Sequence, residues 1–354
     1  MLTLPDDVTI TICNKLIDED RIALTSASKG LCHVKHKMTY NVRMRVCDIQ
    51  HLPYFDRFTN VLVTSIGDKI PLSATHLTFS KSFNRSIYEY IPSTITHLTF
   101  GKSFSKSIRR CIPKSVTHLT FGDDFYRRIN KRDIPKSVTH LTFGHYFDRA
   151  ISNNSIPPSV THLKFGFEFD RNIKNKLPAS ITHLTFGDMF DMPIDDGIPP
   201  NVTHLTFGDN FNQPIQGCIP PSVTHLNLGC DFNQSIKDAI PSSVVHLRMS
   251  CMFDQPILDC IPSSVTYLDL GFEFNQSIDD CAIPPSVVHL IFGCDFNHPI
   301  DGCIPPSVTH LTLGRYFNWP LDDLPDTVTH LSLDSSYNLR TSKRIASRTA
   351  IEIT

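Results

Sequence analysis

The chain has 354 residues, of which 40% are apolar and 19% charged, a balance that excludes a polar, unfolded chain. Net charge is −2, yet residues 71–180 carry 17 Lys and Arg against 7 Asp and Glu, while 181–330 carry 3 against 18, so a basic half precedes an acidic one. No run approaches the roughly 18 consecutive apolar residues of a membrane helix, and the opening MLTLPDDV has neither a basic n-region nor an apolar h-region, so no membrane partner is expected and the chain is placed in the cytoplasm or nucleus.

Residues 1–33 differ from everything after them. Val8, Ile12 and Leu16 fall at i, i+4 and i+8, the spacing of one helical face, and Asp6 and Asp7 suit its first turn. Asp18, Glu19 and Asp20 suit the boundary before a second helix bearing Ile22 and Leu24. Two short amphipathic helices cannot form a core alone, so something must cover them. The pattern of Leu4, Pro5, Asp7, Val8, Ile12, Leu16, Asp20, Leu24, Ser28 and Lys29 resembles the F-box. That resemblance implies docking onto a Skp-type adaptor of a cullin–RING ubiquitin ligase through Leu4, Pro5, Val8, Ile12, Leu16 and Leu24. The family's third helix has a weak counterpart, because LCHVKHKMTYNVRMRV turns at once to strand-like alternation. The alternative is that the helices only cap the repeat array that follows, as such arrays require. Residues 34–70 are expected to be a linker or irregular cap with strands at Val42–Cys47 and Asn60–Thr64.

From residue 71 to about 338 one phrase recurs. Aligned on Thr-His-Leu it gives His76, His97, His118, His140, His162, His183, His204, His225, His246, Tyr267, His289, His310 and His330, thirteen copies spaced by 20 to 22 residues. Such a period marks a solenoid, whose unit cannot bury its apolar face alone and persists because its neighbours roof it. Around Val223, Leu226 and Leu228 the apolar spacing is that of a leucine-rich-repeat kernel, a short strand with Leu226 and Leu228 inward and His225 and Asn227 outward. Phe211, Phe232, Phe253 and Phe274 form one inner ladder, and Ile215, Ile236, Ile257 and Ile278 another. Prolines in Ile-Pro-Pro-Ser and Asn-Gln-Pro-Ile forbid a helix over most of the return path. Gly208, Gly229, Gly271, Gly293 and Gly314 call for a positive φ or a close backbone approach. Asn212, Asn233, Asn275, Asn297 and Asn318, with Asp148, Asp170, Asp191 and Asp254 at the same position, are expected to bond backbone of their own and the next turn.

The segments FNQPI at 211–215 and IPPSVTHL at 219–226 resemble the FNIP repeat, a leucine-rich-repeat relative of amoebal and giant-virus proteins, over about three quarters of the chain. The expected fold is mainly β: an F-box-like helical segment at 1–33, a linker at 34–70, a leucine-rich-repeat-like solenoid of 21–22-residue units with one short parallel strand each at 71–338, and a cap or tail at 339–354. If the chain is viral, its compartment is the host's.

The sequence contains no P-loop, no G-x-G-x-x-G after a strand, no H-E-x-x-H, no G-x-S-x-G and no C-x-x-C, so neither enzymatic activity nor a cofactor is expected. The histidines form a line, whereas a metal needs ligands converging from several directions, so no metal is expected either. Stacked imidazoles should stay mostly neutral, and stability should fall with the pH below about 6.5. The 11 cysteines are read as small buried or turn residues; stacked neighbours such as Cys230 and Cys251 come within disulfide reach, but a reducing compartment keeps them as thiols.

What remains is binding. The exposed strand position changes to Lys164, Asn227, Arg248 and Asp269 in the later copies, and the turn after the strand carries Tyr146, Phe167, Phe272 and Tyr316. Aromatic residues and Arg are enriched at protein interfaces, so these eight form the candidate target-binding surface. Basic residues such as Arg109, Arg110, Arg127 and Arg128 are offset by acidic ones such as Asp195, Asp279, Asp280 and Asp322, which repel a long polyanion and favour a protein partner over nucleic acid. Together the resemblances imply a non-catalytic substrate-recognition subunit of an SCF-type ubiquitin ligase, with the helices on the adaptor, the repeats on an unknown target, and a monomeric chain outside that complex. The alternative is a scaffold for protein–protein interaction with no ligase link.

Overall fold

The computed structural model describes residues 5–27, 31–279, 282–338 and 350–353. The chain divides into two compact units, Met1–Phe147 and Asp148–Thr354.

In the first unit, helices α1 (Asp6–Cys13) and α2 (Asp18–Ala27) and a 3-10 turn at Cys32–Lys37 precede the sheet. Strands β1 (Met44–Arg45), β2 (Asn60–Val63), β3 (His76–Phe79), β4 (His97–Thr99), β5 (His118–Thr120) and β6 (His140–Thr142) then follow one another in parallel, each paired with the next. The strand expected at Val42–Cys47 is cut short: after β1 the chain turns into a helix, α3 (Val46–Ile49), which buries Val46 and Ile49 at i, i+3 while Arg45 Nε donates to Asp48 at 2.7 Å. The second expected strand is present as β2 and pairs in register with β3 through Asn60 beside His76, so stacking begins before the first copy of the phrase.

The second unit holds β7 (His162–Lys164), β8 (His183–Thr185), β9 (His204–Thr206), β10 (His225–Asn227), β11 (His246–Arg248), β12 (Tyr267–Asp269), β13 (His289–Ile291), β14 (His310–Leu313), β15 (His330–Leu333) and β16 (Ala350–Ile353), again parallel and in sequence order. Of the expected cap or tail, residues 339–349 lie outside those described, and Ala350–Ile353 adds a strand in register with β15.

Each repeat closes through tight turns, as its prolines and glycine require. In the copy around β10, Val223 N–H reaches Pro220 O at 3.1 Å, Phe211 N–H reaches Gly208 O at 3.4 Å and Cys218 N–H reaches Ile215 O at 3.0 Å. The enclosed side chains are those the spacing marks: Val223, Leu228, Phe211 and Ile215 are wholly buried. Phe rings stack from copy to copy, with Phe211 and Phe232 centroids 6.1 Å apart. In the first unit Phe79, Phe100, Phe121 and Phe143 form a further stack at 5.5–5.6 Å.

Close backbone approach explains the glycine ladder. A Cβ on Gly208 would stand 2.0 Å from the Gly187 carbonyl oxygen, and one on Gly122 would stand 1.9 Å from that of Gly101. Gly229 and Gly271 additionally adopt φ of +82° and +85°. Both follow an Asx residue by two positions: Asn227 Oδ1 and Asp269 Oδ1 accept from their N–H groups at 3.1 Å.

Candidate functional site: the outer ladders and the helical head

On the strand face, most neighbouring histidines stack with ring centroids about 4.1 Å apart, as for His97 on His118 and His162 on His183, and the row loosens to 5.4 Å between His225 and His246. Where a threonine precedes the histidine, as in most copies, it holds the ring, whereas His246 and His289 follow Val245 and Val288. Thr96 Oγ1 donates to the Thr75 carbonyl at 3.2 Å and lies 2.9 Å from His97 Nδ1. With its single proton so used, the hydroxyl accepts from Nδ1–H of His97, which makes Nε2 the acceptor nitrogen of that ring. Burial, and secondly the neighbouring imidazoles, hold His97, His204 and His310 below the ordinary histidine range. Burial is likewise the leading cause for His118 and His246. The rings lie side by side and, among the described residues, no three His, Cys, Asp or Glu side chains converge as metal ligands would.

The candidate strand positions divide. Lys164 and Arg248 are exposed, whereas Asn227 and Asp269 are half-buried and serve the turns that follow them. Arg248 and Asp269 sit side by side on β11 and β12 and pair with each other, Nε to Oδ2 at 3.1 Å. Asn227 and Asp269 are therefore tied up in the turns and Arg248 is paired across the strands, uses that spacing alone does not reveal. In the first unit Tyr146 is exposed on the turn edge. In the second, Phe167, Phe272 and Tyr316 stand on that edge with Met189 and Met252, all at least a third exposed. Asp188, Asp209, Asp231, Glu273 and Asp295 occupy the intervening places. The edge is continuous by hydrogen bonding: Met189 N–H donates to Phe167 O, and Asn210 N–H to Asp188 O, at 3.0 and 2.7 Å.

Behind this surface the repeated polar residues do connective work. Asp191 Oδ1 accepts from Asn212 N–H at 2.9 Å and Gln213 Nε2 at 3.0 Å, and Asn212 Oδ1 accepts from Asn233 N–H and Gln234 Nε2 in the same way. The serine of Ile-Pro-x-Ser bonds backward, Ser222 Oγ to Val202 O at 2.7 Å. A position that sequence reasoning missed lies two residues before the Ile-Pro or Leu-Pro of most copies. Glu89, Arg110, Arg132, Asn154, Asn175, Asp196, Asp238 and Asp259 hold positive φ there, as do Gly217 and Gly302. The signal was present in the recurrent Asn, Asp or Gly of the later copies.

In the helical head, Val8 and Ile12 of the apolar face stand outward. Thr9, Cys13 and Thr25 are buried, while Val8, Ile12 and Leu24 are 40%, 46% and 38% exposed. Pro5 is exposed and Leu16 half-buried. Leu4, Ser28 and Lys29 lie outside the described residues. Polar staples fix this orientation. Arg21 Nε donates to the Cys13 and Leu16 carbonyls at 2.7 and 3.0 Å, Asp18 accepts from the Asn41 and Val42 N–H groups, and Asp6 accepts from Lys37 at 2.6 Å and His33 at 2.7 Å. The Lys37 and His33 hydrogen bonds hold the Asp6 carboxyl below the usual carboxylate range. No helix among the described residues is long and apolar enough to cross a membrane.

Comparison with known proteins agrees with this geometry. A family model described as the FNIP repeat matches at 66–103, 83–124, 125–168, 169–210, 190–231, 211–252, 253–295 and 296–336. CroV588, a circular leucine-rich-repeat protein of a giant virus, is 42% identical with a TM-score of 0.75, over 80% of this chain and 44% of that one. The chain thus spans less than half the length of that relative. YopM from Yersinia enterocolitica WA-314 is 18% identical with a TM-score of 0.48, over 78% of this chain and 69% of YopM. No curated protein matches.

Proposed function

Because the chain belongs to the FNIP-repeat family, a leucine-rich-repeat type of scaffold suited to protein–protein interaction, we propose that it recruits a target protein to an SCF-type ubiquitin ligase. Helices α1 and α2 hold a Skp-type adaptor, and the repeats hold the target. The observation that carries this reading is the outward apolar face of the head: α1 buries Thr9 and Cys13 but turns Val8 and Ile12 to solvent, with Leu24 of α2 also exposed. Apolar side chains left outside on stapled helices are what an adaptor would cover. On the repeats, Lys164 and Arg248 of the strand face and Tyr146, Phe167, Phe272 and Tyr316 of the turn edges supply the side chains for the target. The chain supplies geometry and makes no bonds itself.

Recovery of a Skp-type adaptor with the full chain, abolished by Val8→Asp with Ile12→Asp while the repeats stay folded, is the expected result. Failure to recover adaptor with the intact chain overturns the ligase link and leaves the repeat scaffold.

A further inference from the structure

Cys230 and Cys251 hold the same place in consecutive repeats, directly after Gly229 and Ser250. The register of β10 and β11 sets Leu226 beside Leu247 and Asn227 beside Arg248. Stacking continues into the turn, where Met252 N–H donates to the Cys230 carbonyl at 2.9 Å. In-register neighbours lie about 4.8 Å apart, inside the roughly 4.4–6.8 Å Cα separation that a disulfide spans. The two side chains are neighbours as well, since Cys251 is the leading influence on the ionisation of the Cys230 thiol. Both are free, Cys251 exposed and Cys230 half-buried, so small reagents reach them. Among the described residues no other two cysteines share this relation: Cys294 has Phe272 and Arg315 as its ladder neighbours, and Cys218 has Gly197 and Ala239.

We propose that Cys230 and Cys251 are a dithiol site that low-molecular-weight disulfides oxidise to a bridge between adjacent repeats. The thiolate of Cys251, the exposed member, attacks one sulfur of the small disulfide, forming a mixed disulfide and releasing one small thiol. Cys230 gives up its proton and attacks the Cys251 sulfur, expelling the second small thiol. Two electrons and two protons thus pass from the pair to the reagent, which ends as two thiols. The order follows from the environment. Cys251 is exposed and meets the small disulfide first, whereas Cys230 is half-buried, its thiol pushed up by Cys251 and by burial, and serves as the resolving thiol. In a reducing compartment the pair rests as thiols. Oxidation joins two repeats beside Met252, one residue along the turn edge and itself exposed, and fixes the spacing of that edge.

The test uses the full chain and oxidised glutathione, followed by alkylation and peptide mapping. The expected result is simultaneous loss of the Cys230 and Cys251 thiols into one cross-linked peptide pair, with Cys218, Cys260 and Cys294 still alkylated. In Cys230→Ser the Cys251 thiol should instead retain glutathione. A second, oxidant-free arm uses phenylarsine oxide, which two adjacent thiols capture: the folded chain should bind it, and either single Ser variant should lose that binding. Glutathione persisting on Cys251 of the intact chain, indiscriminate oxidation of all the exposed thiols, or no arsenical capture overturns the proposal. Adaptor recovery is independent of all these readouts.

Discussion

The repeats up to Phe147 and those from Asp148 onward share one phrase but not one quality of stacking. From Asp148 to Asn318 every copy's Asx oxygen accepts the backbone N–H of the next copy, through 170, 191, 212, 233, 254, 275 and 297. In the earlier copies Asn84 accepts from Ser105 N–H at 3.1 Å, and the succeeding places hold Ser105, whose buried hydroxyl has no partner, and Tyr126. The left-handed turn position follows the same division. It is Glu89, Arg110 and Arg132 early, and Asn, Asp or Gly at every described left-handed place later. L-residues other than Asn and Asp lose roughly 1–2 kcal/mol in that conformation. The Phe, Leu and Val ladders are buried in both regions. Apolar burial is therefore common to all copies, and the polar connections grade their quality.

The largest expected effect is one both regions share. Gly122→Ala and Gly208→Ala each place a Cβ on a backbone carbonyl and should each cost about 3 kcal/mol or more, read as a drop in Tm. A small loss in either would remove close approach as the reason for the glycines. Next, Asp191→Ala deprives Asn212 N–H and Gln213 Nε2 of their acceptor and should cost about 1–2 kcal/mol in chemical unfolding, against under about 1 for Asn84→Ala, which frees one N–H; Asp191→Asn should be nearly silent. Equal losses would erase the contrast between the ladders. In the opposite direction, Arg110→Gly should stabilise by about 0.5–1 kcal/mol and Asp238→Gly by clearly less, because Asp tolerates the left-handed region.

Smallest per residue, and spread over both regions, is the response to acid. His97, His118, His204, His246 and His310 resist protonation when folded, so the unfolded chain takes up protons first. Stability should be full above about pH 6.5 and decline below it until the folded rings themselves titrate. Thermal melts at neutral pH and near pH 5 check this, and an unchanged Tm counts against the stacked neutral row.

Much of the fold was legible because a repeat displays its own registration. The recurrence of His225, Leu226 and Leu228 every 20 to 22 residues gave strand, face and stacking direction together, and β10 has that geometry. Less of the candidate surface was legible. Lys164 and Arg248 stand outward as alternation requires, but the turn-holding use of Asn227 and Asp269 depends on a φ two residues further on. At the head, helical periodicity found both helices and grouped Val8 with Ile12, but the burial of Thr9 and Cys13 against the rest of the head was not legible in it. Periodicity reports which residues share a side; it carries no information about which side the chain covers.

The amino-acid sequence by itself determined that this protein stacks: a unit with few apolar side chains, interrupted by proline and written thirteen times over, has no other way to exclude water from Leu, Phe and Ile. Only the tertiary structure decided what the outer side chains do, which carboxamides bind the next turn, and which face of α1 is left in solvent. Those outcomes turn on separations of an ångström or two between residues far apart in the chain. Hydrogen bonds and close contacts are sensitive at that scale, whereas the burial that drives stacking depends on area alone.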